Sequence, residues 1–452
     1  MGDFQALTRV QGILPDERSK CAPGGSSGTI VHADLETSVR HKSQPQLTYL
    51  ISCYPAITHT FILREILALR ELGCTVRTVS IKSPERSADG LTSVEEAERQ
   101  QTFYVKARGL RRIVWDHLKC FASRPLRYLL GFWFTVRLCG LAFQYLPNYL
   151  LYFAEAIVVG EWMRRKGLDH LHVHFANAGS TVALIISKMY LVQYSMTVHG
   201  PDEFYAEVFY RLKEKISGAS FICCISQFCR GQLMKASSID DWHKFEVCPL
   251  GVDPNWFHPE QAPVEQEFGV YCVGRLVAAK GQAVLLEAAA ALLNRGKRVH
   301  VHLIGDGPDR KALQELIIRH NITENVTFHG SVNQDRLRGL LAEASVFVLP
   351  SFAEGVPVSL MEAMAMEIPC ISTVTAGIPE LISSGVNGIL VPPSDAASLA
   401  EALEMLIGNP EYRLKLGRAG RRKIMEQYNL QDNTRRLARV FARRLAVRSD
   451  RT

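Results

Sequence analysis

Two glutamates and a predicted helix start carry the most informative chemistry in the sequence. They lie in residues 349–362, which read Leu-Pro-Ser-Phe-Ala-Glu-Gly-Val-Pro-Val-Ser-Leu-Met-Glu. A buried strand is predicted to end at Leu349, and Pro357 suits the first helical position because its missing N–H needs no partner there. Free amides at a helix start, assisted by the helix dipole, bind phosphate. The predicted phosphate-binding residues are Gly355, Val356, Pro357, Val358 and Ser359.

The two glutamates bracket this helix start. Glu354 lies in the preceding loop and Glu362 lies more than one turn inside the helix, so they would flank a bound diphosphate on opposite sides. One carboxylate can then accept hydrogen bonds from sugar hydroxyls and the other from ribose hydroxyls. The alternative is a solvated loop glutamate and a surface helix glutamate, because single glutamates on helices are common.

A pair of cations follows the first predicted strand of the same half. Residues 273–281 read Val-Gly-Arg-Leu-Val-Ala-Ala-Lys-Gly, in which Gly274 permits a sharp exit from the strand. Arg275 and Lys280 bracket the turn into the next helix and can grip a diphosphate. A leaving nucleoside diphosphate gains negative charge in the transition state, so fixed cations there lower the barrier more than they aid ground-state binding. The alternative is two exposed cations near a loop.

Together these motifs resemble the retaining GT-B glycosyltransferases, group 1. The resemblance spans roughly residues 269–403 and implies the GT-B fold, a UDP-sugar or GDP-sugar donor, no cofactor, metal independence and retention of anomeric configuration. It further implies that Arg275 and Lys280 bind the donor diphosphate, that Glu354 binds sugar hydroxyls and that Glu362 binds the ribose. The residues that carry it are Arg275, Lys280, Glu354, Glu362, Thr375-Ala-Gly-Ile-Pro-Glu-Leu-Ile and Gly385-Val-Asn-Gly-Ile-Leu-Val.

The N-terminal half is similar to a narrower branch, the enzymes of bacterial exopolysaccharide assembly, including those for colanic acid. That branch has Ser-Glu-Thr-Phe in its first motif, whereas Thr58 and His59 precede Thr60-Phe61 here, so the resemblance does not fix the acceptor. The matching segments are Tyr54-Pro-Ala-Ile-Thr-His-Thr-Phe-Ile-Leu-Arg-Glu-Ile, His172-Val-His-Phe-Ala and Thr197-Val-His-Gly-Pro-Asp.

Three histidines belong to these segments. His199 follows a predicted strand and precedes Gly200, so we expect it to project into a cleft, where its imidazole can contact the donor sugar or the developing charge. The family pattern supports this catalytic assignment for His199 beside Glu354. His172 and His174 alternate along one strand face, and we expect cleft-lining or structural roles rather than metal binding, because no third ligand is evident.

The elements that must position these residues alternate between apolar strands and amphipathic helices, which predicts parallel sheets. The fold class is therefore α/β, with two facing Rossmann-like domains and a cleft between them. The predicted organisation is a flexible tail at 1–44, an acceptor-side domain at 45–253, a nucleotide-sugar-binding domain at 254–425, and a basic helix at 426–452 that packs back on the N-terminal domain.

Basic and aromatic residues concentrate between Gln101 and Ala154, where Asp116 is the only acidic residue. This region can lie on an anionic bilayer, where a lipid-linked acceptor would be found. The alternative is that the aromatics are core and the cations a solvated face. No nucleic-acid module accompanies the cations, so nucleic acid is not an expected partner.

The 11 cysteines lie mostly in apolar runs without Cys-x2-Cys pairs, which suits a reducing cytoplasm and disfavours zinc. The N-terminus lacks an apolar signal core, and the apolar stretch 138–160 is broken by polar residues, so no spanning helix is expected. We therefore expect a cytoplasmic protein that can contact the inner face of the cell membrane.

The leading hypothesis is transfer of a hexose from a nucleoside-diphosphate sugar to a glycan or lipid-linked oligosaccharide, in exopolysaccharide or cell-surface polysaccharide synthesis. One alternative is a noncatalytic sugar-nucleotide-binding component of a glycan assembly complex. Another is a glycoside phosphorylase, which would depend on inorganic phosphate instead of a nucleotide donor.

Overall fold

In the computed structural model, the described residues are 46–56, 60–84, 91–140, 142–200, 202–205, 211–259 and 267–446. They form two α/β domains, each built on a parallel sheet, as the alternating pattern predicts. The predicted tail at 1–44, Thr58 and His59 lie outside the described residues.

The N-terminal domain has a sheet of seven described strands in the order β3-β2-β1-β4-β5-β6-β7. All of its strand pairs are parallel. The central strands are buried along their length, so β6 is an apolar run and the three histidines of β4 also lie inside the domain. The elements are β1 (Gln46–Cys53), α1 (Thr60–Glu71), β2 (Thr75–Lys82), α2 (Ser93–Gln101), β3 (Phe103–Tyr104), α3 (Leu110–Ser123), α4 (Pro125–Cys139), α5 (Leu146–Lys166), β4 (His170–His174), α6 (Ala178–Tyr190), β5 (Gln193–Val198), α7 (Asp202–Tyr205), α8 (Leu212–Gly218), β6 (Phe221–Cys224), α9 (Gln227–Lys235) and β7 (Phe245–Val247).

The C-terminal domain has six described strands in the order β10-β9-β8-β11-β12-β13, the order of a Rossmann sheet. Strands β8 and β11 are neighbours where this order reverses, so the loops after them share the edge at which α/β sheets bind ligands. The elements are β8 (Phe268–Val273), α10 (Gln282–Asn294), β9 (Val299–Ile304), α11 (Arg310–Arg319), β10 (Val326–Gly330), α12 (Gln334–Ala342), β11 (Val346–Leu349), α13 (Val358–Ala365), β12 (Cys370–Thr373), α14 (Ile378–Leu381), β13 (Ile389–Val391), α15 (Ala396–Gly408) and α16 (Pro410–Gln427). The last helix, α17 (Leu430–Ala446), packs on the N-terminal domain.

The chain passes between the domains twice, and the two passages are hydrogen-bonded to each other. Val252 N donates to Tyr428 O (3.0 Å), and Leu430 N donates to Val252 O (3.0 Å). A Cβ on Gly251 would lie 2.7 Å from the backbone of Leu430, so only glycine allows this approach. Beyond the second passage, α17 inserts Phe441 into the N-terminal core against Tyr49 and Phe221.

Helices α3, α4 and α5 form a helical layer on the N-terminal domain. The inner helix α5 buries residues such as Ile157 and Val159 in the core, whereas α3 and α4 leave large apolar side chains exposed. None of the helices in the described ranges has the length and apolar content needed to cross a bilayer. The ten described cysteines are all free and buried, as expected from their apolar surroundings.

Candidate functional site

The loop before α13 lies against the end of β5, so the two domains are in direct backbone contact there. A Cβ on Gly355 would lie 1.8 Å from the carbonyl oxygen of His199, and one on Gly377 would lie 1.8 Å from the carbonyl oxygen of Gly355. Gly377 N also donates to Glu354 O (3.2 Å). Three backbone segments are therefore stacked at a distance that only glycine permits.

Glu354 is buried at this junction, with 8% of its surface exposed. Its Oε1 accepts hydrogen bonds from Lys280 Nζ (2.5 Å) and Ser351 Oγ (2.8 Å). The structure thus joins the predicted sugar-binding carboxylate to one of the two predicted diphosphate-binding cations. Ser351 has no place in the predicted set, although it lies only three residues before Glu354.

Arg275 lies on the solvent side of the same region. Its side chain is exposed and has no ion-pair partner in the described part of the chain, while its carbonyl oxygen accepts from Gln282 Nε2 (2.9 Å). The side chain of Lys280 lies along the loop, because a Cβ on Gly274 would be 3.7 Å from Lys280 Cδ. The hydrogen-bonded set around Glu354 therefore includes Lys280 and leaves Arg275 out.

Glu362 lies on the inner side of α13 and is buried. Arg64 Nη1 of α1 donates to Glu362 Oε1 (3.2 Å), and Arg64 Nη2 donates to Gln334 Oε1 of α12. Burial raises the pKa of Glu362, and the guanidinium of Arg64 opposes that rise. The predicted ribose-binding carboxylate is thus held by an arginine of the other domain, which sequence patterns could not reveal across so long a separation.

The start of α13 differs by one residue from the prediction. Pro357 is the N-cap and has an extended conformation (φ −72°, ψ 123°), so Val358 is the first helical residue. The first intrahelical bond runs from Met361 N to Pro357 O (3.3 Å), which places the amides of Val358, Ser359 and Leu360 before it. These amides are the groups of a helix start that can bind an anion.

His199 is part of a buried chain of polar side chains. Its Nε2 lies at hydrogen-bond distance from His174 Nδ1 (2.9 Å), and His174 Nε2 lies 3.2 Å from Glu65 Oε1, an ion-pair contact without hydrogen-bond geometry. Tyr49 Oη donates to the same Glu65 oxygen (2.8 Å). Phe61 and Phe175 pack on the His199 ring at centroid distances of 4.9 and 4.5 Å. Glu65 lies in one of the motifs of the sequence but was not singled out as a site residue.

Glu65 also bears on the prediction that His172 and His174 do not bind a metal ion. The sequence suggested no third ligand for His172 and His174, yet one ligand atom each of Glu65, His172 and His174 lie within 4.8 Å of one another. Both His172 nitrogens already have hydroxyl partners, Ser195 Oγ (2.8 Å) and Thr197 Oγ1 (2.9 Å). Burial and the neighbouring histidines lower the pKa of His172. These contacts favour a hydrogen-bond network over metal binding.

The backbone of His199 is fixed by a second buried carboxylate. Glu203 Oε2 accepts from the amides of His199 (2.8 Å) and Gly200 (3.0 Å), while its Oε1 accepts from the amide of Ala176. Burial raises the pKa of Glu203. Lys215 Nζ donates to the carbonyl oxygens of Ala176 (2.8 Å) and Asn177 (2.7 Å), and burial lowers its pKa to about 7.

A cavity of about 640 Å³ opens between the domains near Arg64. It is lined by α1, by residues 331–335 of the C-terminal domain and by Trp256. This volume lies within the range of ligand-binding clefts, roughly 300–1,000 Å³. A cleft between the domains is therefore present, but none of the predicted site residues lines this cavity.

Comparison with known proteins adds an independent observation for each domain. Residues 255–423 match the family described as Glycosyl transferases group 1, and residues 59–256 match Glycosyltransferase Family 4. The chain is 26% identical over 410 residues to a putative colanic acid biosynthesis glycosyltransferase, WcaL, of Salmonella typhimurium, which covers 88% of this chain and 99% of the relative.

The chain is also similar to a second relative and to a solved structure. The chain is 30% identical over 266 residues to a putative teichuronic acid biosynthesis glycosyltransferase, TuaC, of Bacillus subtilis; the match covers 55% of this chain and 64% of the relative. The structure of Anabaena HepE in complex with UDP-glucose superposes with a TM-score of 0.67 at 16% identity, over 88% of this chain and 99% of that chain.

Two facing Rossmann-like domains with a cleft between them define the GT-B fold, and both domains match glycosyltransferase families. The C-terminal domain matches the group 1 glycosyltransferases, the N-terminal domain matches Glycosyltransferase Family 4, and the fold is GT-B. It is a glycosyltransferase, and the expected family and fold class are confirmed.

Proposed function

We propose that this glycosyltransferase moves a hexose from a UDP-sugar or GDP-sugar to a glycan or lipid-linked oligosaccharide, with retention, in bacterial cell-surface polysaccharide synthesis. The names of the relatives, for colanic and teichuronic acid biosynthesis, support the polysaccharide role. The observation that carries the proposal is that Glu354, which is paired with Lys280, directly precedes Gly355, whose backbone lies against the carbonyl oxygen of His199 in the other domain.

In this proposal, the donor diphosphate binds at the start of α13. The amides of Val358 and Ser359 point toward it, as at other anion-binding helix starts, and Lys280 adds a positive charge from the β8 loop. Arg275 is exposed on the same loop, from where it can reach an anion that enters the cleft. Glu362 then binds the ribose hydroxyls after Arg64 releases the carboxylate oxygen of Glu362 to which it is hydrogen-bonded.

The chemical step we propose is a front-face substitution. The bond between the anomeric carbon and the phosphate oxygen breaks, the acceptor oxygen bonds to that carbon on the same face, and the acceptor proton passes to the donor phosphate. Glu354 binds sugar hydroxyls and does not attack the anomeric carbon. Its existing hydrogen bonds to Lys280 and Ser351 support this role, since they reduce the nucleophilicity of the carboxylate.

Fixed cations take the place of a metal ion in this proposal. Lys280 and Arg275 stabilise the charge that develops on the leaving nucleoside diphosphate, which lowers the barrier because that charge is greatest in the transition state. We therefore expect transfer to continue in the presence of EDTA and without any added divalent cation.

We further propose that the outer faces of α3 and α4 contact an anionic membrane at the cytoplasmic side. Trp115 is 67% exposed and Trp133 is 63% exposed, so the alternative of a core role fails for these two aromatics. Exposed cations lie among them, which matches the charge of an anionic bilayer. The cations are Arg111, Arg112, Lys119, Arg127 and Arg137.

Donor turnover tests the function. Purified protein is screened with UDP-sugars and GDP-sugars by thermal shift, because a bound donor stabilises the native state. Release of nucleoside diphosphate is then followed with polysaccharide-repeat acceptors, and the anomeric configuration of the product is read by NMR. Donor binding without any release would favour the noncatalytic alternative, and dependence on inorganic phosphate would favour a phosphorylase.

Glu354→Gln is the sharpest variant for this assay. It preserves shape but loses the charge that pairs with Lys280, and we expect kcat to fall about 100-fold or more, as for other preorganised transition-state contacts. Glu287→Gln, an exposed glutamate of α10, is the matched control. Arg275→Ala is compared in the same way with Arg319→Ala. Unchanged transfer rates in both Glu354→Gln and Arg275→Ala would contradict the site.

A further inference from the structure

The chain Tyr49–Glu65–His174–His199 runs from the core of the N-terminal domain to the interdomain junction. Its members come from β1, α1, β4 and the residue after β5, and each is buried: Tyr49 is 0% exposed and His174 is 2% exposed. The strands β1, β4 and β5 also pair with one another through their backbones.

The donors and acceptors along this chain have a definite direction. Tyr49 donates to Glu65 Oε1, so that carboxylate oxygen acts as an acceptor. His174 Nε2 lies 3.2 Å from the same oxygen, at an ion-pair distance but without the geometry of a hydrogen bond. We infer that this nitrogen carries the proton, because a lone pair at that distance would be repelled by the carboxylate, which favours a positive or protonated neighbour. In neutral His174, Nδ1 is then the acceptor. His199 Nε2, 2.9 Å away, must therefore be the donor.

We propose that Glu65 and His174 are positioning residues that fix the tautomer and orientation of the His199 ring during transfer. Proton placement on Nε2 leaves the substrate-directed chemistry of His199 to Nδ1. The carboxylate of Glu65 also stabilises any positive charge that His199 gains, through His174. This inference rests on the proposed catalytic role of His199.

Other titratable groups lie beside these four side chains and contribute to their electrostatic environment. His172 lies beside His174 at a centroid distance of 5.3 Å, and its hydrogen bonds to Ser195 and Thr197 keep it outside the chain. Glu203 binds the backbone of His199 and is in turn close to Lys215. Near Tyr49 and Glu65, the buried thiols are Cys74 and Cys223, and His170 lies beyond His172.

Glu65→Gln removes the charge and keeps the shape. We expect kcat to fall at least about 10-fold with the donor KM little changed, because a wrong tautomer affects the reaction more than binding. Loss of a nearby anion lowers the pKa of the histidine pair. The limb of the pH–rate profile that reports this pair therefore moves to lower pH, by about one unit.

The tautomers are measured directly by long-range ¹⁵N–¹H correlation spectra of histidine-labelled protein, with His174→Gln and His199→Gln used for assignment. In the native chain, we expect the Nε2–H tautomer at both His174 and His199, and Glu65→Gln is expected to mix the tautomers. If Glu65→Gln does not fold, His174→Gln provides the same test, since it disconnects Glu65 from His199.

The matched control is Glu98→Gln. Glu98 is also a buried carboxylate of this domain, where it accepts from Tyr54 Oη (2.9 Å) and pairs with Arg70. We expect this variant to lose stability without changing the pH–rate profile or the histidine tautomers. A Glu65→Gln profile and spectrum equal to those of the native chain would overturn the proposal, as would a bound stoichiometric metal ion.

These outcomes are distinct from a failure of the proposed function. Absence of nucleoside diphosphate release by the native chain would contradict the function. Normal release by the native chain, lost in His199→Gln but kept in Glu65→Gln, would contradict the positioning role alone.

Discussion

Gly355 shows how one residue without a side chain sets the distance between the two halves of the site. Its missing Cβ makes room for the carbonyl oxygen of His199, so the loop of Glu354 and the end of β5 meet directly. The sequence indicates a phosphate-binding loop at Gly355. It does not indicate that the glycine is needed for contact with the other domain, because that demand arises only when the domains are assembled.

Gly355→Ala tests this demand. The new Cβ would lie 1.8 Å from backbone that cannot rotate away, so the domains must separate. We expect kcat to fall about 10-fold or more, since a displacement of about 1 Å in a reacting geometry is costly. Transfer rates and melting temperatures are measured for this variant and for a control variant, Gly339→Ala.

The control is Gly339→Ala in α12, where a Cβ would meet no atom within 4 Å. Alanine is favoured over glycine in a helix by roughly 0.5–1 kcal/mol, so this variant is expected to be slightly more stable and fully active. Native activity in Gly355→Ala would show that the contact between the Glu354 loop and the end of β5 can shift without affecting the reaction.

Single residues also show which parts of the candidate site can be predicted from the sequence. Glu354 and Lys280 are predicted from their types and their spacing around strand ends, which indicate diphosphate chemistry, and the structure brings the two side chains together. Ser351, which donates to Glu354, lies only three residues before it, whereas Arg64 and the carboxylate of Glu65 reach the site because of which helix packs beside which strand. Arg64 and Glu362 are joined only by the approach of α1 to α13, so no local pattern could pair them.

At the scale of elements, the prediction was most accurate where strands are buried on both faces. The helix at 282–294 and the strands at 299–304 and 346–349 coincide with α10, β9 and β11. Their apolar runs are bounded by glycine, proline or polar residues, which mark the ends. The region of α3–α5 was predicted less fully, since apolar residues occur on several faces of each helix and hide the periodicity.

The exposed face of α3 and α4 carries a prediction of its own. We expect Trp115→Ala/Trp133→Ala protein to bind vesicles with anionic lipid at least about 10-fold more weakly, because these rings supply apolar area at the bilayer interface. Cosedimentation is measured with anionic and zwitterionic vesicles at low and high salt. Electrostatic attraction predicts that binding of the native chain weakens as salt rises.

Trp242→Ala serves as the control for this face. Trp242 is 38% exposed in the same domain but lies outside α3 and α4. It is expected to leave vesicle binding unchanged. Equal binding by the native chain and the double variant would assign the exposed face to something other than a membrane.

At the scale of the whole molecule, the sequence predicts two domains and a cleft, but not the contacts that hold the cleft at a given width. Several such contacts occur in the described residues, and three of them are hydrogen-bonded or ionic contacts that differ in position. The passages at Val252 and Leu430 are hydrogen-bonded, Arg64 reaches Glu362, and Glu380 of α14 reaches the start of α9. The first lies at the hinge, whereas the other two join surfaces that must move apart if the cleft opens.

The contact made by Glu380 is the best one for testing whether interdomain contacts control the width of the cleft. Its carboxylate accepts from Gln227 N (2.9 Å) and Phe228 N (2.7 Å), so it caps α9 from the other domain. A charged group at a helix start contributes about 1 kcal/mol, through hydrogen bonds and the helix dipole. Glu380→Gln keeps the size but loses the charge, so the closed arrangement should become several-fold less populated relative to the open one.

We expect this shift to raise the donor KM several-fold and to increase the radius of gyration measured by small-angle scattering without donor. Saturating donor should restore the native radius, because a ligand that binds the closed state shifts the population toward it. Glu401→Gln, an exposed glutamate of α15, should change neither quantity. If Glu380→Gln leaves the radius unchanged and lowers only the melting temperature, the contact stabilises α9 and α14 without controlling the cleft.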